Sequence, residues 1–138
     1  TPLPGTIEVR TECENDLPLV QADPAQMQIV LSNLVRNARD AMAERSGRLE
    51  LAARRQDEDK VLLSVNDNGP GIPPDQRGRI MEPLYTTKSR GMGLGLALSR
   101  TIVDKHGGRI AFESEPGRGT TFTVTLPVVA VDDDATTA

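Results

Sequence analysis

At 138 residues, with 37% hydrophobic and 26% charged side chains, the chain has the length and balance of one soluble domain built on one core, and its 2% aromatic content makes that core aliphatic. A formal net charge of −4 supplies no broad positive field for nucleic acid or an anionic membrane surface, and no stretch reaches the ~20 apolar residues of a membrane helix. One Cys, Cys13, excludes an internal disulfide, and with a single His beside it no metal cluster forms without carboxylates, so the expected compartment is reducing and cytoplasmic.

The opening Thr1-Pro2-Leu3-Pro4-Gly5 has no signal-peptide character and no initiating Met, which suggests a piece of something longer. Ile7 to Arg10 alternates apolar and polar residues and Leu17 to Ala22 offers a second extended run, so two edge strands are expected. Asp23-Pro24 then reads as a helix start: Asp caps free backbone amides, and Pro at the first position gives up a donor that had no partner. Met27, Val30, Leu31, Leu34, Ala38, Ala41 and Met42 follow at helical spacing and define a buried stripe.

Arg48 to Ala53 and Lys60 to Asn66 alternate on either side of an acidic connection, which predicts a hairpin with Val61, Leu63 and Val65 on one side. From Asp67 to Gly95 the texture turns to glycine, proline and polar residues, too long for a simple turn and therefore a functional loop system or an insertion. Leu94 to Lys105 reads as a second helix stopped by Gly107-Gly108, and two strands follow around Arg109 to Glu113 and Thr121 to Leu126. Val131 to Ala138 carries Asp132-Asp133-Asp134 and little that can pack, a frayed tail or linker beyond a domain of residues 1–130. The element order predicts an α+β two-layer sandwich, a mixed and mostly antiparallel sheet with helices on one face.

The chemistry-bearing residues gather in segments. On the first helix Asn33, Asn37 and Asp40 fall in one stripe beside the apolar face. An amide oxygen is a neutral hard ligand suited to Mg²⁺, which takes most other ligands from phosphates and water, and Asn37 is the candidate; the plainer reading is a solvated helix face. Asp67-Asn68-Gly69-Pro70-Gly71-Ile72 sits where a strand ends, so the sheet fixes a carboxylate able to accept from an adenine amino group while the glycines turn the backbone; the plainer reading is a common Asp-Asn-Gly turn. Thr86-Thr87-Lys88-Ser89-Arg90 runs into Gly91-Met92-Gly93-Leu94-Gly95-Leu96, a cationic, hydroxyl-rich loop whose helix-start amides and Lys88 can cradle phosphates, though a plain hinge has the same look. It is neither the dinucleotide fingerprint nor a Walker loop, since its glycines recur at every second position and no Lys-Ser or Lys-Thr follows the last one. Gly117-Arg118-Gly119-Thr120-Thr121-Phe122 reads first as a hairpin turn.

In this order and spacing the segments resemble the N, G1, G2 and G3 boxes of the histidine-kinase catalytic domain, in the gyrase, heat-shock chaperone, histidine kinase and MutL ATPase superfamily, over about Ile7 to Pro127. The resemblance extends to Asn33-Leu34-Val35-Arg36-Asn37-Ala38 and to the Lys105-His106-Gly107-Gly108-Arg109-Ile110 junction. It implies an ATP pocket between sheet and helices, with Asn37 on Mg²⁺, Asn33 on the phosphate side, Asp67 reading adenine, and Gly69 and Gly71 shaping the base site. It further implies a mobile ATP lid from Pro83 to Met92, with Lys88 at the terminal phosphates, catalysis resting on Asn33, Asn37 and Lys88, and Gly91, Gly93 and Gly95 as its hinges. Asp40, Ile72, Thr86, Thr87, Leu94, Leu96 and Thr121 complete the implied contacts. Leu84 stands where the family usually has Phe, and Asp40 where many members have a basic residue; the short Thr-Thr-Lys lid looks most like nitrogen-regulation and oxygen-sensing kinases.

The implied reaction is transfer of the ATP γ-phosphate to a histidine on a separate dimerisation domain, with a response regulator downstream and the isolated domain monomeric. His106 ends the second helix and is not the expected acceptor. Hydrolysing members of the superfamily carry Glu at the place of Asn33, where it can activate water, as do serine kinases of the anti-sigma type; an amide cannot. A degenerate nucleotide-binding or partner-docking module is the remaining alternative.

Overall fold

A computed structural model of the chain describes residues 7–42, 47–71 and 92–129, with the side chains of its last helix described from Leu96 onward. Among the described residues, five strands and two helices form two layers: β1 (Ile7–Cys13), α1 (Pro24–Ala41), β2 (Gly47–Asp57), β3 (Lys60–Asp67), α2 (Met92–Lys105), β4 (Arg109–Glu115) and β5 (Gly119–Pro127). The sheet order is β1-β2-β3-β5-β4, parallel between β1 and β2 and antiparallel at every other pairing. The expected α+β sandwich with a mixed, mostly antiparallel sheet is what forms.

Local chemistry explains the helix ends. Asp23 sits extended at the N-cap of α1 and its carboxylate accepts from the amides of Ala25 and Gln26, with Pro24 opening the first turn. At the C-terminus of α2, Gly107 adopts φ +72, its amide donates to the Asp104 carbonyl at 3.0 Å, and the Gly108 amide donates to Val103 at 3.0 Å. This paired reach back over the last turn satisfies carbonyls that α2 would otherwise leave bare.

Val30, Leu34 and Ala38 of α1 and its C-cap Met42 meet Leu96, Ile102 and Val103 of α2 over Leu49, Val65, Phe122, Val124 and Leu126 of the sheet, forming one largely aliphatic core. The two Phe rings, Phe112 and Phe122, pack with centroids 5.8 Å apart across β4 and β5. Strand parity fixes which side chains join them. Phe122, Val124 and Leu126 point toward the helices, so Thr121, Thr123 and Thr125 point to the opposite, open face.

Two expectations need correction. Leu17 to Ala22 forms no strand of its own: Val20 makes a single bridge to Val128, and the Val129 amide donates to Leu19 at 2.9 Å. Pro18 interrupts the run, and β1 pairs instead with β2 through all seven of its residues. The second helix begins at Met92 rather than Leu94, so Gly93 and Gly95 lie inside it. The stripe of Leu96, Ser99, Ile102 and Val103, packed against α1 and the sheet, outweighs a glycine cost of about 1 kcal/mol each.

The helices run antiparallel and are joined by side chains at two levels. Nearer the site, Asn33 Nδ2 donates to Ser99 Oγ at 3.2 Å. At the far end, the Asp23 amide donates to His106 Nε2 at 3.1 Å, while His106 Nδ1 lies 2.7 Å from the Ile102 carbonyl. Among the described residues no helix is long and apolar enough to cross a membrane.

Candidate functional site

Asp67 is the last residue of β3, a central strand, and stands opposite Leu49 on β2 and Thr120 on β5. It shares parity with Val65, so its carboxylate points to the helical side, and it is 3% exposed. Its Oδ1 accepts from the Gly69 amide at 2.9 Å, which bends the chain away from the sheet. Asn68 anchors the same corner: its Oδ1 accepts from the Arg48 amide at 2.7 Å and its own amide donates to the Arg48 carbonyl at 3.3 Å.

Asn37 lies on the inner side of α1 and is 7% exposed. Its Nδ2 is buried with no hydrogen-bond partner among the described residues. A buried amide atom without a partner costs about 1–3 kcal/mol, so it marks a place that something polar completes, and a half-turn of the terminal torsion presents oxygen instead of nitrogen.

Gly69 brings the two together. A Cβ on Gly69 would lie 3.0 Å from Asp67 Oδ1, 3.1 Å from Met42 Cγ and 3.5 Å from the Ala41 carbonyl. Ala41 stands four residues, one turn, beyond Asn37 on the same stripe, so the carboxylate and the amide open on one seam between α1 and the end of β3. Asn33 continues the stripe one turn earlier, held by Ser99, which is 0% exposed. Asp40 lies on the exposed flank of α1.

The turn between β4 and β5 walls the far side. Gly71 has φ +81, and a Cβ there would fall 2.4 Å from the Glu115 carbonyl; the Gly117 amide donates to Pro70 at 2.8 Å. Thr120, buried and facing the helical side next to Asp67, shares a 2.9 Å hydrogen bond with Ser114. Gly119 has φ +109, and a Cβ on it would fall 2.0 Å from the Asp67 carbonyl.

Gly119→Ala should therefore displace Asp67 as well as strain its own backbone, costing about 1–3 kcal/mol in urea unfolding and weakening nucleotide binding together. Gly117 has φ +81 but open space around it, so Gly117→Ala should cost about 1 kcal/mol and leave affinity unchanged. Equal affinity losses in the two variants would contradict the close approach of Gly119 to Asp67.

The structure thus brings Asn33, Asn37, Asp67, Gly69 and Gly71 together, with Asp40 at the margin. Thr121 does not join them: it lies on the open sheet face, where its hydroxyl accepts from Asn66, and Thr120 takes the inward place. Leu96, expected to line the site, is 2% exposed and belongs to the core. Ile72, Thr86, Thr87, Lys88 and Gly91, with the lid from Pro83 onward, lie outside the described residues, as does the tail 131–138; for Gly93, Leu94 and Gly95 only the helical backbone is described. Ser99, Asn68 and Thr120 were not anticipated. Ser99 was detectable as a hydroxyl within the apolar stripe of α2, and Thr120 from the parity of Phe122, Val124 and Leu126.

Comparison with known proteins gives the arrangement a family. Residues 22–130 match the family model described as histidine kinase-, DNA gyrase B-, and HSP90-like ATPase. The sensor histidine kinase ZraS of Salmonella typhimurium is 41% identical over 128 residues, covering 93% of this chain but 27% of ZraS, so the chain spans about a quarter of that relative. Among solved structures, the nucleotide-free catalytic domain of histidine kinase ThkA superposes with a TM-score of 0.78 at 36% identity, covering 90% of this chain and 80% of that one. Full-length ShkA in complex with AMPPNP gives a TM-score of 0.79 at 32% identity, covering 93% of this chain and 27% of ShkA. With its sandwich fold like that of the ThkA catalytic domain and a family match over most of its length, the chain belongs to the histidine kinase-, DNA gyrase B- and HSP90-like ATPases.

Proposed function

We propose that the parent protein transfers the γ-phosphate of Mg²⁺-bound ATP to a histidine imidazole on its own dimerisation domain, from which a response regulator receives it. The observation that carries this reading is the convergence on one seam of a buried carboxylate, Asp67, and a buried amide, Asn37, with an atom unpartnered among the described residues. The AMPPNP bound in ShkA supports an adenine nucleotide in this fold.

The two ends of the seam suit the two ends of the nucleotide. A carboxylate accepts from the exocyclic amine of adenine, a charge-assisted bond worth about 1.5–3 kcal/mol, and repels the carbonyl oxygen that guanine presents at the same place. Among the described residues no group of three His, Cys, Asp or Glu side chains could hold a metal. That suits Mg²⁺ held chiefly by phosphates and water with the Asn37 amide oxygen as the protein's neutral ligand. Bound there, the ion would supply neutralisation of charge on the phosphate oxygens.

Asn33 decides between transfer and hydrolysis. An amide donating to Ser99 Oγ takes no proton from water, so the chain's contribution is binding and orientation, not activation of a nucleophile. His106 is unsuited as the acceptor because both its ring nitrogens are engaged within the fold.

Incubating the chain with γ-labelled ATP, Mg²⁺ and a histidine-bearing helical hairpin from a candidate partner is expected to label the hairpin and leave the chain unlabelled. Stoichiometric label on His106, or release of inorganic phosphate with an unlabelled hairpin, would contradict the proposal.

A further inference from the structure

His106 is the chain's single histidine, and its ring is held from two sides. A backbone carbonyl can only accept, so the 2.7 Å contact to Ile102 requires a proton on Nδ1. An amide can only donate, so the 3.1 Å contact from Asp23 requires a bare Nε2. Together they select one neutral tautomer.

The position of this clasp matters more than its strength. It joins the N-cap of α1 to the C-cap of α2, while Asn33 and Ser99 join the same helices nearer the site. Two bonds at separate levels oppose sliding and tilting of α1 along α2, and α1 carries Asn33 and Asn37. We infer that His106 is a positioning residue for the nucleotide site, holding α1 in the register that sets Asn37 beside Asp67, and that a proton on its ring releases the hold.

Protonation puts a second donor opposite the Asp23 amide, so that contact is lost. The Nδ1–H bond to Ile102 survives, because a carbonyl still accepts from that nitrogen. The imidazolium therefore stays with α2 and lets go of α1. The clasp therefore needs the neutral ring and is lost when the ring takes a second proton.

Among the described residues the charged groups around this corner are few. From α1 comes Asp23, whose carboxylate already accepts from Ala25 and Gln26. The ring's own last turn carries Lys105 and Asp104, the latter 4.0 Å from Arg100, and β4 opens with Arg109. All of these are exposed, so water and salt screen them. From β5 comes the apolar ring of Pro127, beside Gly107.

The inference rests on reading the seam as an ATP site, and the test separates the two. Nitrogen-15 NMR of the single imidazole should show the Nδ1–H tautomer at about pH 8. Calorimetry with Mg²⁺ and ATP then compares wild type, His106→Gln, whose side-chain oxygen can accept from Asp23 but cannot charge, and His106→Ala. At about pH 8 His106→Gln should bind within about twofold of wild type and His106→Ala about fivefold more weakly. Towards about pH 5.5 wild type should lose about fivefold relative to His106→Gln, a ratio in which the nucleotide's own titration cancels. An Nε2–H tautomer, or a wild-type to His106→Gln ratio that stays flat with pH, would overturn the positioning role. Absence of ATP binding in every form at every pH would instead refute the site reading, and the positioning role with it.

Discussion

Asp67→Asn is expected to weaken ATP binding about 10- to 100-fold, the equivalent of the 1.5–3 kcal/mol of one charge-assisted hydrogen bond, and to erase the preference for ATP over GTP. The substitution keeps the shape of a side chain that is 3% exposed and keeps an oxygen for the Gly69 amide. What changes is the second oxygen, which becomes an NH₂ that meets the adenine amine donor to donor. Thermal unfolding should therefore move little while calorimetric affinity collapses. Wild-type affinity for ATP in this variant would remove Asp67 from the base site.

Asn37→Ala should act on the other end of the nucleotide. Removing a buried amide whose Nδ2 has no partner among the described residues relieves a desolvation cost, so the unfolding midpoint should hold or rise slightly. Function should fall in a particular way: the gain in ATP affinity that Mg²⁺ provides should shrink roughly tenfold or more, as expected for loss of a metal ligand. Binding of adenosine, which has no phosphates, should survive in Asn37→Ala and fail in Asp67→Asn. Calorimetry with adenosine, and with ATP in the presence of Mg²⁺ or a chelator, separates the two ends of the seam; adenosine binding lost equally in both variants would deny the division of labour.

Much of this architecture is written in short-range chemistry that a sequence displays. Asp23-Pro24 and Gly107-Gly108 mark helix ends because capping depends on a few neighbouring atoms, and the resulting bonds are present. The hairpin of β2 and β3 follows from alternation, and its parity fixes the inward aim of Asp67. What was hidden depends on partners distant in the chain. Ser99 matters through Asn33, 66 residues away, and His106 through Asp23, 83 residues away. Gly119 matters through the backbone of Asp67, which no local signal identifies. Leu17 to Ala22 looked like a strand because extended character is local, whereas pairing needs a free neighbour, and β1 had already taken the edge of β2. Thr121 was the avoidable miss, since the two-residue period set by Phe122, Val124 and Leu126 already turned Thr120 inward.

The most direct measurement is a crystal structure of the chain with Mg²⁺ and a non-hydrolysable ATP analogue. It should place the adenine amine in hydrogen-bonding distance of the Asp67 carboxylate and the phosphates beside Asn37, between α1 and the end of β3. The open sheet face offers a competing concavity of about 680 Å³, whose lining includes Glu12, Arg54, Leu62, Glu113 and Thr123. A nucleotide bound there, with Asn37 and Asp67 untouched, would contradict the account.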